Sequence, residues 1–210
     1  EANRVEREAE ITVSAEGGGA LKLREKAFGE MGALLQRQHS RATTDESMRS
    51  TTRWLSRAIR APELQRIAVA PDGGPEFERT LEYRTPQFAQ LMQNRLLMVT
   101  PVAAPPFGAL SYPETRRKHP VVLDSACQTE TLRVVTPSGF EIDEVPGAVK
   151  LETPFGKFSA SYSVELGAVV VRRSLEVRAA TVPVERYLEL RDFFSRVQGS
   201  FQAPIVFVKK

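Results

Sequence analysis

Hydrophobic and polar residues alternate along much of the chain, which predicts a protein built mainly of β-strands. Residues 5–15 place Val5, Arg7, Ala9, Ile11 and Val13 on one face and mostly acidic residues on the other, a pattern typical of a half-buried strand. A glycine-rich turn over 16–19 leads into a return strand. Further strands of the first half are predicted at 20–28, 64–70, 76–84 and 94–100.

Two helices are predicted to interrupt this sheet, a short one over 31–38 and a longer one over 45–60. The longer helix follows the capping sequence "TTDE" (43–46) and ends before Pro62. Its apolar residues recur at helical spacing. They are Met48, Thr52, Leu55 and Ile59.

The segment "PVAAPPFGALSYPE" (101–114) contains four prolines. Regular structure does not tolerate that density of proline. We therefore predict a linker here and a boundary near residue 115, which divides the chain into units 1–115 and 116–210.

The second unit is predicted to be a run of strands separated by Pro–Gly turns. A helix over 183–198 follows, with Pro183 near its first turn and Gly199 just past its end. A terminal strand is predicted over 203–208. The fold class is therefore α+β and predominantly antiparallel β, with two β-rich units. The first carries an inserted helix pair, and the second is sandwich-like and closed by one C-terminal helix and a final strand.

Composition excludes several classes of protein. The chain has 210 residues with a net charge of only +3, so no polyanionic partner follows from the total charge. One cysteine excludes an internal disulfide framework and a cysteine-rich zinc site. No apolar run is long enough to span a membrane. The chain starts at Glu1 without a signal-peptide pattern, so we expect a processed protein or a fragment.

The last 85 or so residues carry "TPSGFEIDEVP", "TPFGKFSASYSVELGAVVVRRSLEV", "VPVERYLELRDFFSRV" and "APIVFVKK". This stretch resembles the C-terminal region of bacterial transglutaminase-like proteins that also carry the domains of unknown function 3857 and 3858. The resemblance implies an upstream papain-like core, a periplasmic or extracellular location, and a partner that is this core or another protein. The family's catalytic order is Cys, His, Asp, whereas both histidines here precede Cys127. We therefore expect no catalytic residue, no cofactor and no metal.

The sequence "HPVVLDSACQTE" (119–130) nevertheless gathers His119, Asp124 and Cys127. On one continuous strand, His119 and Cys127 would lie about 26 Å apart at ~3.3 Å per residue, and Asp124 would face the other side. A nucleophile and its base must come within about 3 Å. A turn at "LDSA" could fold the ends together, so a cysteine-dependent acyl-transfer enzyme stays the third hypothesis.

Four arginines of the longer predicted helix, Arg49, Arg53, Arg57 and Arg60, fall on one stripe opposite the apolar face. Such a stripe could bind phosphates, acidic glycans or an anionic membrane surface. Specific nucleic-acid binding is not predicted, because a wide basic field with stacking aromatics is missing. The leading hypothesis is a non-catalytic accessory and interaction region of an exported transglutaminase-like protein. The second is a free-standing anion-binding module, and the sequence predicts no oligomeric state.

Overall fold

The computed structural model describes residues 3–70, 76–106, 108 and 110–210. Within these ranges, there are three α-helices and fourteen strands, and the strands form three sheets. The first half contains β1 (Arg4–Val13), β2 (Gly19–Phe28), α1 (Gly29–Arg41), α2 (Thr44–Leu55), β3 (Glu63–Val69), β4 (Glu76–Thr85), β5 (Ala89–Met92) and β6 (Leu96–Val99). The second contains β7 (Val121–Leu123), β8 (Ala126–Val135), β9 (Phe140–Glu144), β10 (Val149–Thr153), β11 (Gly156–Glu165), β12 (Ala168–Val177), β13 (Ala180–Val182), α3 (Tyr187–Gln202) and β14 (Ile205–Lys209).

The predicted fold class is confirmed, since the chain is α+β with mostly antiparallel strands. The largest sheet has eight strands in the order β10-β11-β12-β8-β1-β2-β4-β3. All of its neighbours are antiparallel except β1 and β8, which run parallel. In β1 the predicted alternation is confirmed, because its odd-numbered residues from Val5 to Val13 are buried.

This sheet crosses the predicted boundary, because β1 and β8 come from opposite sides of residue 115. The four-stranded sheet crosses it as well: β14 pairs with β6 from the first half and β9 from the second. The division into units 1–115 and 116–210 stays a prediction, but the two halves share hydrogen bonds in both sheets.

The proline-rich segment contains no strand or helix in its described residues, as predicted, but it is not a solvated linker. Ala103 and Ala104 are buried in the main core. The Tyr83 hydroxyl donates a hydrogen bond to the carbonyl of Ala103, so the segment is held against the large sheet.

One face of the large sheet carries two hydrophobic clusters. The first lies between that face and the four-stranded sheet, and it contains Leu23, Leu132 and Val171 of the large sheet with Leu97 and Phe207 of the smaller one. The second packs it against α3. The predicted apolar face of that helix is confirmed. Tyr187, Leu190, Phe194 and Val197 are all buried.

The helix pair is confirmed, but its boundaries differ from those predicted. The capping box of α2 forms, since Thr43 and Glu46 bond each other's backbone N–H groups. The predicted end at residue 60 is wrong, because α2 ends at Leu55. The Ser56 N–H still makes the helical bond to the Thr52 carbonyl, but the next two N–H groups, of Arg57 and Ala58, donate three residues back to the carbonyls of Trp54 and Leu55, which tightens the last turn and ends the α-helix.

The last helix also differs in its ends. A short 3-10 turn (Val184–Arg186) precedes α3, which continues past Gly199 to Gln202. The terminal strand is confirmed as β14.

Candidate functional site

The stretch 119–130 is not one strand. β7 and β8 belong to different sheets, and Asp124 and Ser125, which lie between them, are in neither strand. The strand is therefore interrupted within "LDSA". Among the described residues, however, no hydrogen bond joins the side chains of His119, Asp124 and Cys127. The structure does not assemble them as a hydrogen-bonded triad.

Cys127 lies within the large sheet rather than at the start of a helix. It pairs with Arg4 of β1 and Glu176 of β12, and its N–H donates to the Asn3 carbonyl. Burial, followed by the nearby Glu176 carboxylate, raises the pKa of the Cys127 thiol, and Arg4 only partly opposes this. The environment therefore favours the neutral thiol over the nucleophilic thiolate.

A cleft of about 710 Å³ opens beside Asp124 and Ser125. Its lining is mixed: Leu110, Leu123 and Phe194 are apolar, while Glu30, Tyr112 and Asp124 are polar. Burial raises the pKa of the Tyr112 hydroxyl. Cys127 is not among the lining residues, so this cleft does not present the thiol to a ligand.

The four arginines do not share one helix face, which corrects the predicted stripe. Arg49 and Arg53 lie on α2, whereas Arg57 and Arg60 follow its end. All four are exposed. The early helix end separates them into two pairs, and anion binding by these arginines stays a prediction.

No group of three or more histidine, cysteine or acidic side chains suited to a metal ion occurs in the described part of the chain. Within the same ranges, no helix combines the length and apolar character needed to cross a bilayer.

The most distinctive polar cluster is a row of charges across the buried face of the large sheet. We call it the charge ladder. Strand register places its members opposite one another on five adjacent strands. In order they are Arg79, Glu25, Arg7, Glu130 and Arg173, with alternating sign.

Short ion pairs connect the first three members of the ladder. Arg7 Nε lies 2.7 Å from one Glu25 oxygen, and Arg79 Nη2 lies 2.6 Å from the other. Burial has the largest influence on the Glu25 carboxyl and raises its pKa, but Arg7 and Arg79 together outweigh burial. The pKa of Glu25 is therefore below its ordinary value.

The second half of the ladder is looser. Arg7 Nη1 lies 3.4 Å from Glu130 Oε1, which also accepts a 2.7 Å hydrogen bond from the Gln128 amide. Arg173 Nη1 is 3.8 Å from Glu130 Oε2, which is too long for a hydrogen bond.

The proline-rich segment and aromatic rings cover the ladder. Arg7 and Arg173 donate to the carbonyls of Pro105 and Pro101 at 2.7 and 2.8 Å. The Trp54 ring lies 4.5 Å from the Arg79 guanidinium carbon, within cation–π range. The segment predicted to link two units thus covers a buried polar network.

Sequence reasoning missed the ladder, although one signal for it was present. Arg7 has the parity of Val5 and Ala9, and Glu25, Arg79, Glu130 and Arg173 likewise take apolar-face positions in their strands. A charge at a core-facing position must find a partner. Five such positions on different strands signal a network that crosses the sheet.

Comparison with known proteins decides the family. A family model described as Domain of Unknown Function with solved-structure structure (DUF3858) matches residues 94–207, which is more than half of the chain. The chain belongs to the DUF3858 family. The DUF3858 part of the predicted resemblance is confirmed, and it starts earlier than predicted, in the segment before β6. The transglutaminase-like context and domain 3857 stay predictions.

A solved structure named as a putative protease from Parabacteroides distasonis ATCC 8503 is similar over 56% of this chain, with 15% sequence identity and a TM-score of 0.49. The chain corresponds to 24% of that protein's length. A comparison with curated proteins gives no match. The DUF3858 match at 94–207 contains β6 to β13, α3 and the first part of β14, while β1 to β5 lie outside it.

Proposed function

We propose that this chain is a non-catalytic accessory region of a larger, exported, transglutaminase-like protein, and that it docks on the catalytic core of that protein. DUF3858 membership supports an accessory role of this kind, and the resemblance of the C-terminal motifs supports the transglutaminase-like context and a periplasmic or extracellular location.

The observation that carries the non-catalytic part is the environment of Cys127. This side chain lies within a strand between neighbours on both sides, and its pKa is raised by burial and Glu176. Thiol nucleophiles instead need a depressed pKa, supplied by an imidazolium, another cation or a helix start. The cysteine-dependent acyl-transfer hypothesis loses support accordingly.

Exposed apolar side chains support the docking part. Val122, Val164, Leu166 and Leu188 are 59–98% exposed, and all lie in the DUF3858 segment. Leu166 is 98% exposed at the β11–β12 hairpin tip and has a φ of 42°. A large apolar residue in the left-handed region is strained. Contact with a partner would bury the Leu166 side chain and offset the cost of its strained backbone.

The test begins with the full reading frame, in which we expect a transglutaminase-like core upstream. That core and this chain are then produced separately, and their binding is measured by calorimetry. Leu166→Gly removes the apolar contact and relieves the strained φ, so binding should weaken while the fold keeps its stability. Leu91→Ala is the control, because Leu91 is also an exposed apolar residue but lies on β5. Unchanged binding by the Leu166 variant, or no core upstream, would contradict the proposal.

One observation keeps the anion-binding alternative as a second candidate. The side chains of Arg53, Arg57 and Arg60 make no ion pair or hydrogen bond with the described residues, and all three are exposed. Their guanidinium groups are therefore accessible to an external anion.

A further inference from the structure

Arg173, at one end of the charge ladder, is a buried cation with incomplete compensation. Its side chain is 1% exposed. Nη1 donates to the Pro101 carbonyl at 2.8 Å. Nε and Nη2 are buried and have no hydrogen-bond partner in the described part of the chain. Unsatisfied buried donors are costly, and more so when they carry charge.

These two nitrogen atoms form one edge of the guanidinium plane. Nε–H and the adjacent Nη2–H point in parallel, which is the arrangement that binds an anion with two hydrogen bonds. The unsatisfied donors of Arg173 are therefore not scattered. They form a complete two-pronged anion-binding edge.

The charge balance of the ladder also favours an anion. Arg79, Arg7 and Arg173 face only two carboxylates, Glu25 and Glu130, which leaves one excess positive charge. Glu25 bonds Arg7 and Arg79 closely. Glu130 accepts from Arg7 and Gln128 but makes no hydrogen bond to Arg173. Of the three arginines, Arg173 therefore has the longest carboxylate contact, 3.8 Å to Glu130.

The last turn of α3 covers this region. The Phe201 ring lies 4.7 Å from the Arg173 guanidinium carbon. Ser200, the residue before it, is buried, and its hydroxyl also lacks a hydrogen-bond partner among the described residues. Aromatic and aliphatic cover reduces the local dielectric, which strengthens the attraction between a guanidinium and an anion.

We propose that the Nε–Nη2 edge of Arg173 binds a small monovalent anion of the chloride class inside the folded protein. A buried water molecule could accept both hydrogen bonds but would leave the excess charge uncompensated. A halide ion would both accept the two hydrogen bonds and neutralise the excess positive charge of the ladder.

The experiment is thermal unfolding of the full chain at constant ionic strength, with sodium chloride replaced stepwise by sodium gluconate. Gluconate is too large for an enclosed site. At a 100-fold excess over the dissociation constant, chloride should shift the folding equilibrium by about 100-fold. The melting temperature should then rise by roughly 3–6 °C per tenfold increase in chloride.

Arg173→Met should abolish this dependence, whereas Arg172→Met, the neighbour on the solvent face of β12, should keep it. Because Arg173→Met can impair folding, crystals of the unmodified chain grown in bromide provide a second test. We expect an anomalous peak beside Nε and Nη2. Equal stability in chloride and gluconate, or an internal water only at that position, would overturn the proposal.

Discussion

At the scale of single residues, Cys127 shows how its strand environment suppresses thiol chemistry. Because its pKa is raised, we expect slower alkylation by iodoacetamide at pH 7 than for the same chain in denaturant. Cys127→Ser should leave the fold intact and the midpoint of the unfolding transition unchanged. Rapid alkylation at pH 6, together with an amine-transfer or peptidase activity lost in both Cys127→Ser and His119→Ala, would show that the chain is an enzyme.

Glu25 shows how the ladder couples stability to pH. Its folded pKa is lower than its ordinary value, so the unfolded chain takes up the proton first as the pH falls. The stabilisation from Glu25 is therefore present above the ordinary pKa and is lost as the pH falls toward the folded pKa. Glu25→Gln should cost about 3–5 kcal/mol at neutral pH, because it removes the buried carboxylate that pairs with both Arg7 and Arg79.

The measurement for Glu25 is urea unfolding at several pH values. The variant should lose less stability on acidification than the unmodified chain does. Glu82→Gln, which pairs with Lys22 near the surface, is the matched control and should change little. If the free energy of unfolding fell equally with pH in Glu25→Gln and in the unmodified chain, Glu25 would not be the cause of the loss of stability in acid.

Individual ladder positions were predictable from alternation, but their pairing was not. Parity alone puts Arg7 on the buried face of β1. The identity of its partners depends on register across strands separated by up to 123 residues, and no local pattern encodes that register. The sequence predicts that Cys127 lies in a strand. It does not decide whether that strand is interrupted at Asp124 and Ser125, because the interruption depends on β7 and β8 pairing in different sheets.

At the scale of elements, α3 anchors one end of the large sheet. Phe194→Ala should cost about 3–5 kcal/mol in denaturant melts, because the ring is buried in the second hydrophobic cluster. Leu188→Ala on the same helix is the control, since that side chain is 61% exposed. A loss below about 1 kcal/mol for Phe194→Ala would contradict tight packing of this face.

The arginines around α2 form a weak basic surface. Any retention of the chain on heparin should vanish at moderate salt, because few phosphate-like contacts are available. Changing Arg49, Arg53 and Arg57 to Glu should remove the retention, while Arg95→Glu, an exposed arginine on the turn after β5, should not. Binding that persists at physiological salt and is lost in the triple variant would favour the anion-binding alternative.

Elements with strong local signals were predicted well, and their ends less so. The capping sequence at Thr43 fixed the start of α2. The prediction continued to residue 60 because Ile59 completes the apolar stripe, and Ile59 is indeed buried. Ile59 is buried from the irregular segment after the helix, since the backbone changes to i→i−3 bonds at Arg57 and Ala58. Burial periodicity alone does not distinguish these two cases.

At the scale of the whole molecule, the shared sheets make the boundary near residue 115 testable. Residues 1–115 alone lack β8, the parallel neighbour of β1, and β14, the partner of β6. We therefore expect this fragment to show no cooperative unfolding in urea, and the same for 116–210. Mixed in equal amounts, the two fragments should regain a cooperative transition. A cooperative transition in either fragment alone would support two independent units.

The parallel pairing of β1 with β8 also has a consequence for synthesis on the ribosome. Arg7 and Glu130 are 123 residues apart, and translation at about 5–20 residues per second separates their appearance by roughly 6–25 s. During that interval, one edge of the β1–β2 hairpin, with Arg7 on it, has no neighbouring strand. An unpaired edge is open to association with other nascent chains. Factors that bind nascent chains should therefore raise the yield of this protein most when they act before residue 135 has emerged.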